Sequence, residues 1–165
     1  MVEKYPRDAS ASIPPRWFIR TAWRVHRFLY RASGRRFGLR RPAPGRYGMM
    51  ALHTRGRRTG QSRIAIVAYI VDGDDIVTMA MNGWDDSEPA WWLNLQAFAR
   101  ASVELAGERR RRAVRARVAE GADHDRLWAA FRTVEDDGTD LDALARLRHR
   151  PTPLIVLEPD GAPVT

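Results

Sequence analysis

The chain contains no cysteine, and only one of its 28 basic residues is a lysine, Lys4. The first absence excludes disulfides and thiolate metal sites and is compatible with a reducing cytoplasm. The second leaves arginine to carry the whole basic excess, a net charge of +8. GC-rich coding is the plain explanation for so uniform a choice. Whatever its origin, the field favours anionic partners such as phosphates, polycarboxylate tails, acidic lipid or nucleic acid. No apolar run approaches the ~20 residues that span a bilayer. Met1 to Ser12 has no apolar stretch ahead of a small-residue cleavage site, so no secretory leader is expected. His26, His53, His124 and His149 are scattered without metal-ligand spacing, and no metal is expected. No Gly-x-Gly-x-x-Gly follows a strand pattern, which argues against a nicotinamide cofactor held by that motif. No Ser/His/Asp arrangement or carboxylate pair stands out for hydrolysis. His53 is a tempting acid/base group, but it precedes the basic turn on a strand with no partner evident in the sequence. Nucleic-acid recognition motifs are also missing despite the basicity.

What is present fits one domain: 165 residues, 44 % of them hydrophobic. Residues 1–12 read as a mobile tail. Pro14-Pro15 then opens an amphipathic basic helix placed at 13–32, with Trp17, Phe18, Val25, Phe28 and Leu29 on one stripe and Arg16, Arg20, Arg24, Arg27 and Arg31 on another. Such a helix either lies on an anionic membrane surface or packs on its own domain with the arginines in water. The second reading is preferred, because covering an open barrel end needs the same pattern. The remaining 33–160 forms the main domain. After a Gly/Pro/Arg-rich linker the period changes to two. Strands are expected at Gly48–Thr54, Ser62–Val71, Ile76–Met81, Ala101–Leu105, Arg112–Val118 and Leu154–Leu157. A helix capped by Ser87 or Glu88 should run to about Ala99, burying Trp91, Trp92, Leu95 and Phe98. Two further helices are expected, one over Asp123–Thr133 and a short one through Leu144 and Leu147. Strands gathered into hairpins rather than alternating with helices indicate an α+β fold, not a doubly wound parallel sheet.

The most informative stretch runs from Leu52 to Leu95. Gly56-Arg57-Arg58-Thr59-Gly60-Gln61-Ser62-Arg63 sets glycines around guanidinium and hydroxyl groups. Such a turn can aim backbone N–H groups, a hydroxyl and arginine forks at one anion; it can equally be a solvated hairpin tip. Two apolar runs follow, then Ala80-Met81-Asn82-Gly83 and Pro89-Ala90-Trp91-Trp92-Leu93-Asn94-Leu95. In a helix Trp91 and Asn94 lie one turn apart on the same side.

This order of motifs resembles the deazaflavin-dependent nitroreductase/quinone reductase family over roughly residues 46–158. The resemblance implies a split β-barrel of about six mostly antiparallel strands with flanking helices, like the flavin-reductase and FMN-binding proteins. It implies coenzyme F420 as cofactor. Arg58 and Arg63 would pair with its phosphate and acidic tail, and Arg57, Thr59, Gly60 and Gln61 would add backbone and side-chain donors. Ala65, Ala68 and Ala80 would line a groove wide enough for a tricyclic ring, with Met81, Asn82, Trp91 and Asn94 beside it, while Trp92 is left to packing. The implied reaction passes a hydride from the reduced deazaflavin to a quinone, nitro compound or conjugated enone. No side chain need act as nucleophile, so no catalytic residue is assigned.

Two departures stand out. Met81 replaces the family's ring-side serine and cannot donate the same hydrogen bond. Tyr69 is the last tyrosine in the chain, whereas the family carries several before a closing Arg-x-Ile-Pro that Arg150-Pro151-Thr152-Pro153 matches in part. Two other readings therefore stand beside the reductase. One is a cofactor-binding or membrane-surface protein with little or no turnover, anchored at the inner face of the plasma membrane by the 13–32 helix. The other is a barrel that binds FMN. The oligomeric state is left open.

Overall fold

The computed structural model describes residues 38–81, 87–134, 140–146 and 149–161; the tail and helix expected at 1–12 and 13–32 lie outside them. Six strands are present among the described residues: β1 (Gly48–Arg55), β2 (Ser62–Asp72), β3 (Asp75–Met79), β4 (Arg100–Glu104), β5 (Arg112–Val118) and β6 (Leu154–Pro159). Three helices accompany them among the described residues: α1 (Ala90–Ala97), α2 (Gly121–Arg132) and α3 (Leu141–Arg146). The strands close into a barrel in the order β1-β2-β3-β6-β5-β4, every neighbouring pair antiparallel. This is the α+β, six-stranded barrel that the resemblance implied.

Side-chain alternation along each strand divides the apolar residues into an inside and an outside. Met50, Leu52, Val67, Tyr69, Ile76, Val103, Val114, Ile155 and Leu157 come from all six strands and form one cluster, which only a barrel interior can collect. Helix α1 adds Trp91, Trp92 and Leu95 to that cluster and so fills the barrel. Outward positions of β3 and β6, including Val77, Met79, Leu154 and Val156, pack under Leu127 and Phe131 of α2 and Leu141 of α3. Strand β5 is barer: Arg115, Arg117 and Val118 are exposed, so Val118 does not share the cover of Val114 and Ala116 that alternation suggested.

Element ends move for identifiable reasons. Strand β3 stops at Met79 rather than Met81 because the Met81 amide turns back to the Met79 carbonyl at 2.9 Å and Ala80 N–H bonds the Pro153 carbonyl at 2.8 Å. Helix α1 is not capped by a Ser87 or Glu88 side chain. Pro89 occupies the N-cap with φ −64°, no side chain caps it, and Glu88 instead pairs with Arg150 at 3.0 Å. The helix also ends two residues before Ala99, since Phe98 is already extended ahead of β4.

One glycine in β1 is required by close approach. An ideal Cβ at Gly48 would stand 2.4 Å from Cε1 of Tyr69, on the ring that fills the cross-strand position. Tyr69 is 2 % exposed and has no space to swing into. Gly48→Ala should therefore cost ~1–3 kcal/mol through overpacking, read as a lower urea midpoint with unchanged slope.

An ion-pair network ties the β2–β3 hairpin to α2, β5 and β6. Arg126 holds both oxygens of Asp72 at 2.9 and 2.8 Å and also reaches Asp123, which Arg117 links to Glu158. Hydrogen bonds from Arg126 hold the Asp72 carboxyl below its usual range, and bonds from Arg117 and Arg126 do the same for Asp123. A depressed carboxyl contributes its stability above the ordinary value of 3.8 and loses it as pH falls through the folded value. Burial and the nearby Glu158 raise Asp75, which acts in the opposite sense as pH rises. The urea midpoint of Arg126→Met should lie below that of the wild type at neutral pH. The two should converge as pH is lowered through and below 3.8.

Candidate functional site

The turn between β1 and β2 is built by its own backbone. Gly56 N–H bonds the Gln61 carbonyl at 2.8 Å, and Gly60 N–H returns to the Gly56 carbonyl at 2.7 Å. Gly60 sits at φ +68°, a conformation that a side chain would strain. Within this frame Arg57, Arg58, Thr59, Gly60, Gln61 and Arg63 are all exposed. The Thr59 hydroxyl lies 3.5 Å from the Arg63 guanidinium and 3.4 Å from the Gln61 amide, which gathers the hydroxyl, a backbone donor and an arginine on one side.

Asn94 fixes where the turn sits. It is 4 % exposed on α1, its Oδ1 accepts from Arg57 N–H at 3.1 Å, and its Nδ2 donates to the equally buried Thr54 Oγ1 at 3.1 Å. The helix that fills the barrel therefore also holds the basic turn. The resemblance implied a place for Asn94 beside the ring; in the fold its amide joins β1 to the turn. Thr54 gave no signal in the sequence, because its role depends on that cross-chain bond. Arg55 stacks over Phe98 with its guanidinium carbon 4.6 Å from the ring centroid, a second tie between the turn and the end of α1.

No ion pair to a carboxylate involves Arg57, Arg58 or Arg63 among the described residues. Elsewhere Arg100, Arg112, Arg117, Arg126 and Arg132 each sit against one.

The other expected site residues divide. Ala80 is fully buried in the interior cluster with Trp91 and Trp92, which are 7 % and 6 % exposed. Met81 is half-buried and packs toward the α2 side. Asn82 lies outside the described residues. Ala65 and Ala68 cannot both line one wall. The β1–β2 register runs without interruption from Arg55↔Ser62 to Gly48↔Tyr69, and a strand's period of two sends them to opposite faces. Ala65 packs on the interior cluster with Val67 and Tyr69, while Ala68 falls with the outward Ile66 and Ile70.

His53 also differs from expectation. Its Nε2 lies 3.0 Å from Oε1 of Glu104 on β4, which accepts from Arg111 Nε at 2.7 Å. The partner missing from the local sequence is supplied by barrel closure, which sets Ser102 opposite His53 and Glu104 two residues on. Alternation puts this group on the outer face, away from the interior cluster. A shallow cleft of about 330 Å³ lined by Arg132, Asp140, Leu141, Asp142 and Arg146 lies at α2 and α3, away from the turn.

Both the sequence and the closed barrel have counterparts among known proteins. Residues 22–159 match the family model described as F420H(2)-dependent quinone reductase. The chain belongs to that family. Among its relatives, an F420H(2)-dependent quinone reductase of Mycobacterium tuberculosis is 32 % identical over 136 residues, covering 81 % of this chain and 87 % of the relative. The barrel is similar to that of an F420-H2 dependent reductase (FDR-A), with TM-score 0.56, 19 % identity and coverage of 67 % of this chain and 93 % of the other. A domain-swapped dimer superposes at TM-score 0.60 with 20 % identity, covering 84 % and 99 %. At those identities the two structures bear on the fold alone. Family membership makes this protein an F420H2-dependent reductase with coenzyme F420 as its cofactor, and it does not favour the FMN barrel or the turnover-free protein.

Replacing Asn94 by Ala removes both bonds of the clamp and leaves the Thr54 hydroxyl and Arg57 N–H unpaired. We expect a loss of ~1–3 kcal/mol in stability, together with faster amide hydrogen exchange confined to residues 56–61. Unchanged exchange in the turn would mean that the backbone frame alone holds it.

Proposed function

We propose that Arg57, Arg58, Thr59, Gly60, Gln61 and Arg63 hold the phosphate and acidic tail of reduced F420. The ring then lies toward Ala65, Ala80, Met81 and Trp91, and a quinone is the preferred electron acceptor. The observation that carries this reading is the gathering of Arg57, Arg58 and Arg63 without a carboxylate among the described residues, on a turn held by Asn94. Like charges brought together are unfavourable unless an anion joins them, and arginine forks match phosphate and carboxylate oxygens. The residues present therefore fit the group.

Bound in its reduced form, F420 supplies the hydride. What this chain supplies is orientation and electrostatics. The turn neutralises the cofactor's anionic end, and Asn94 keeps the Arg57 amide at a fixed distance from the barrel wall. Trp91 offers only an edge, because most of its indole is covered. Met81 brings a polarizable apolar surface where a serine would donate. Tyr69 is no proton source for an acceptor: it is buried in the interior, and burial raises its pKa. The proton that completes reduction comes from solvent. An apolar conjugated acceptor such as a quinone suits this lining better than a nitro compound that needs hydroxyl donors. The arginine stripe of residues 16–31 supports a further reading, contact with an anionic membrane surface, on sequence alone. Among the described residues no helix is long and apolar enough to cross a membrane.

Titration with F420 followed by cofactor fluorescence tests the site directly. Arg58→Ala with Arg63→Ala should weaken binding by ~10²-fold or more, at ~1.5 kcal/mol per lost charge-assisted contact, and FMN should bind far more weakly than F420. An unchanged affinity in the folded double variant would place the phosphate elsewhere.

A further inference from the structure

Arg150 has a polar edge that nothing in the described structure uses. Its Nη1 pairs with Oε1 of Glu88 at 3.0 Å. Its Nε and Nη2, which form the side-on edge of the guanidinium, are buried and without a hydrogen-bond partner among the described residues. A buried cationic donor pair left unmet is costly, and native proteins rarely keep one without a ligand or water to meet it.

The place of this edge in the fold indicates what meets it. Residues 150–153 are held to the end of β3, where Ala80 N–H bonds the Pro153 carbonyl at 2.8 Å. The Glu88 ion pair holds them to the start of α1, one residue before the Pro89 N-cap and three before Trp91. The segment thus bridges the two pieces of chain assigned to the ring end of the groove, Ala80–Met81 and Trp91. The basic turn is tied to α1 through Asn94, six residues after the Glu88 that Arg150 holds.

We propose that the Nε–Nη2 edge of Arg150 binds a conjugated carbonyl oxygen in the groove. A side-on guanidinium edge places two parallel N–H groups on one oxygen or one oxygen pair, a geometry that lysine cannot reproduce. Conjugated carbonyl oxygens are present both on the deazaflavin ring and on a quinone acceptor, and either meets the same two donors. The role takes up part of what the missing tyrosines leave undone on the acceptor side. It rests on the assignment of the groove to F420 and its acceptor.

Arg150→Lys keeps the positive charge near Glu88 and removes the two-donor edge, so it tests the edge rather than the ion pair. Glu88→Gln is the converse control, which removes the ion pair and keeps the edge. For each folded variant, affinity for F420 is measured by fluorescence titration of the cofactor-free protein, and kcat and KM are measured with menadione. If the oxygen is the cofactor's, Arg150→Lys weakens F420 binding about tenfold or more, the equivalent of one charge-assisted bond. If it is the acceptor's, F420 affinity is unchanged and kcat/KM for menadione falls about tenfold or more. In both cases Glu88→Gln should leave most of the effect unreproduced. Equal affinity and equal kcat/KM in Arg150→Lys would overturn the inference and leave the edge to a bound water. Full reproduction of the loss by Glu88→Gln would overturn it too, making Arg150 a strut for α1. Wild-type protein that fails to bind F420 would overturn the functional reading and this inference together. Normal wild-type binding beside a silent Arg150→Lys would overturn the inference alone.

Discussion

Pairing of β1 with β4 closes the sheet, and most of the molecule follows from that closure. Three register pairs, Ala51↔Glu104, Leu52↔Val103 and His53↔Ser102, join the first strand to the fourth and leave no free edge on either. A closed ring of six strands has an interior that must be filled to organic-crystal density. The inward residues do not fill it alone: Ala65, Ala101 and Ala116 are small and pack only at the margin of the cluster. Helix α1 supplies the missing volume with two tryptophans and a leucine, which explains why so short a helix carries such large side chains.

The helix that fills the barrel also couples the core to the site. Asn94 is the polar residue on its buried side, and a buried carboxamide must find partners. It finds them in Thr54 and in the Arg57 amide of the basic turn. Packing of the tryptophans thus sets the height of the helix, and the helix sets the position of the arginines. One element thus fills the core and fixes the turn. Displacement of α1 by a core change therefore moves the arginines of the turn as well.

Arginine plays two separable parts on this surface. On the α2 side Arg117 and Arg126 sit in alternation with Asp72, Asp123 and Glu158, and their charge is spent on holding strands and helix together. On the β1–β2 turn the same residue type stands without acid partners among the described residues, and its charge is available to a ligand. Composition alone cannot separate the two, since a guanidinium reads the same in both places. The difference lies in which carboxylates the fold brings within reach.

The sequence by itself determined the strand and helix periods, the hairpins, the α+β class and the glycine-framed arginine turn. These are local properties of backbone sterics and hydrophobic spacing, written in consecutive residues. The Trp-x-x-Asn helix was legible in the same way, although its cap was not, because Glu88 answers to Arg150 across the chain. The opposite facing of Ala65 and Ala68 follows from period two and was already implicit in their odd separation. The tertiary structure alone decided the rest. It tied Asn94 to the turn, set His53 against Glu104 and left the edge of Arg150 buried without a partner among the described residues. Each of these depends on residues tens of positions apart, brought together only when the sheet closes, and no local pattern of propensity or spacing encodes such distances.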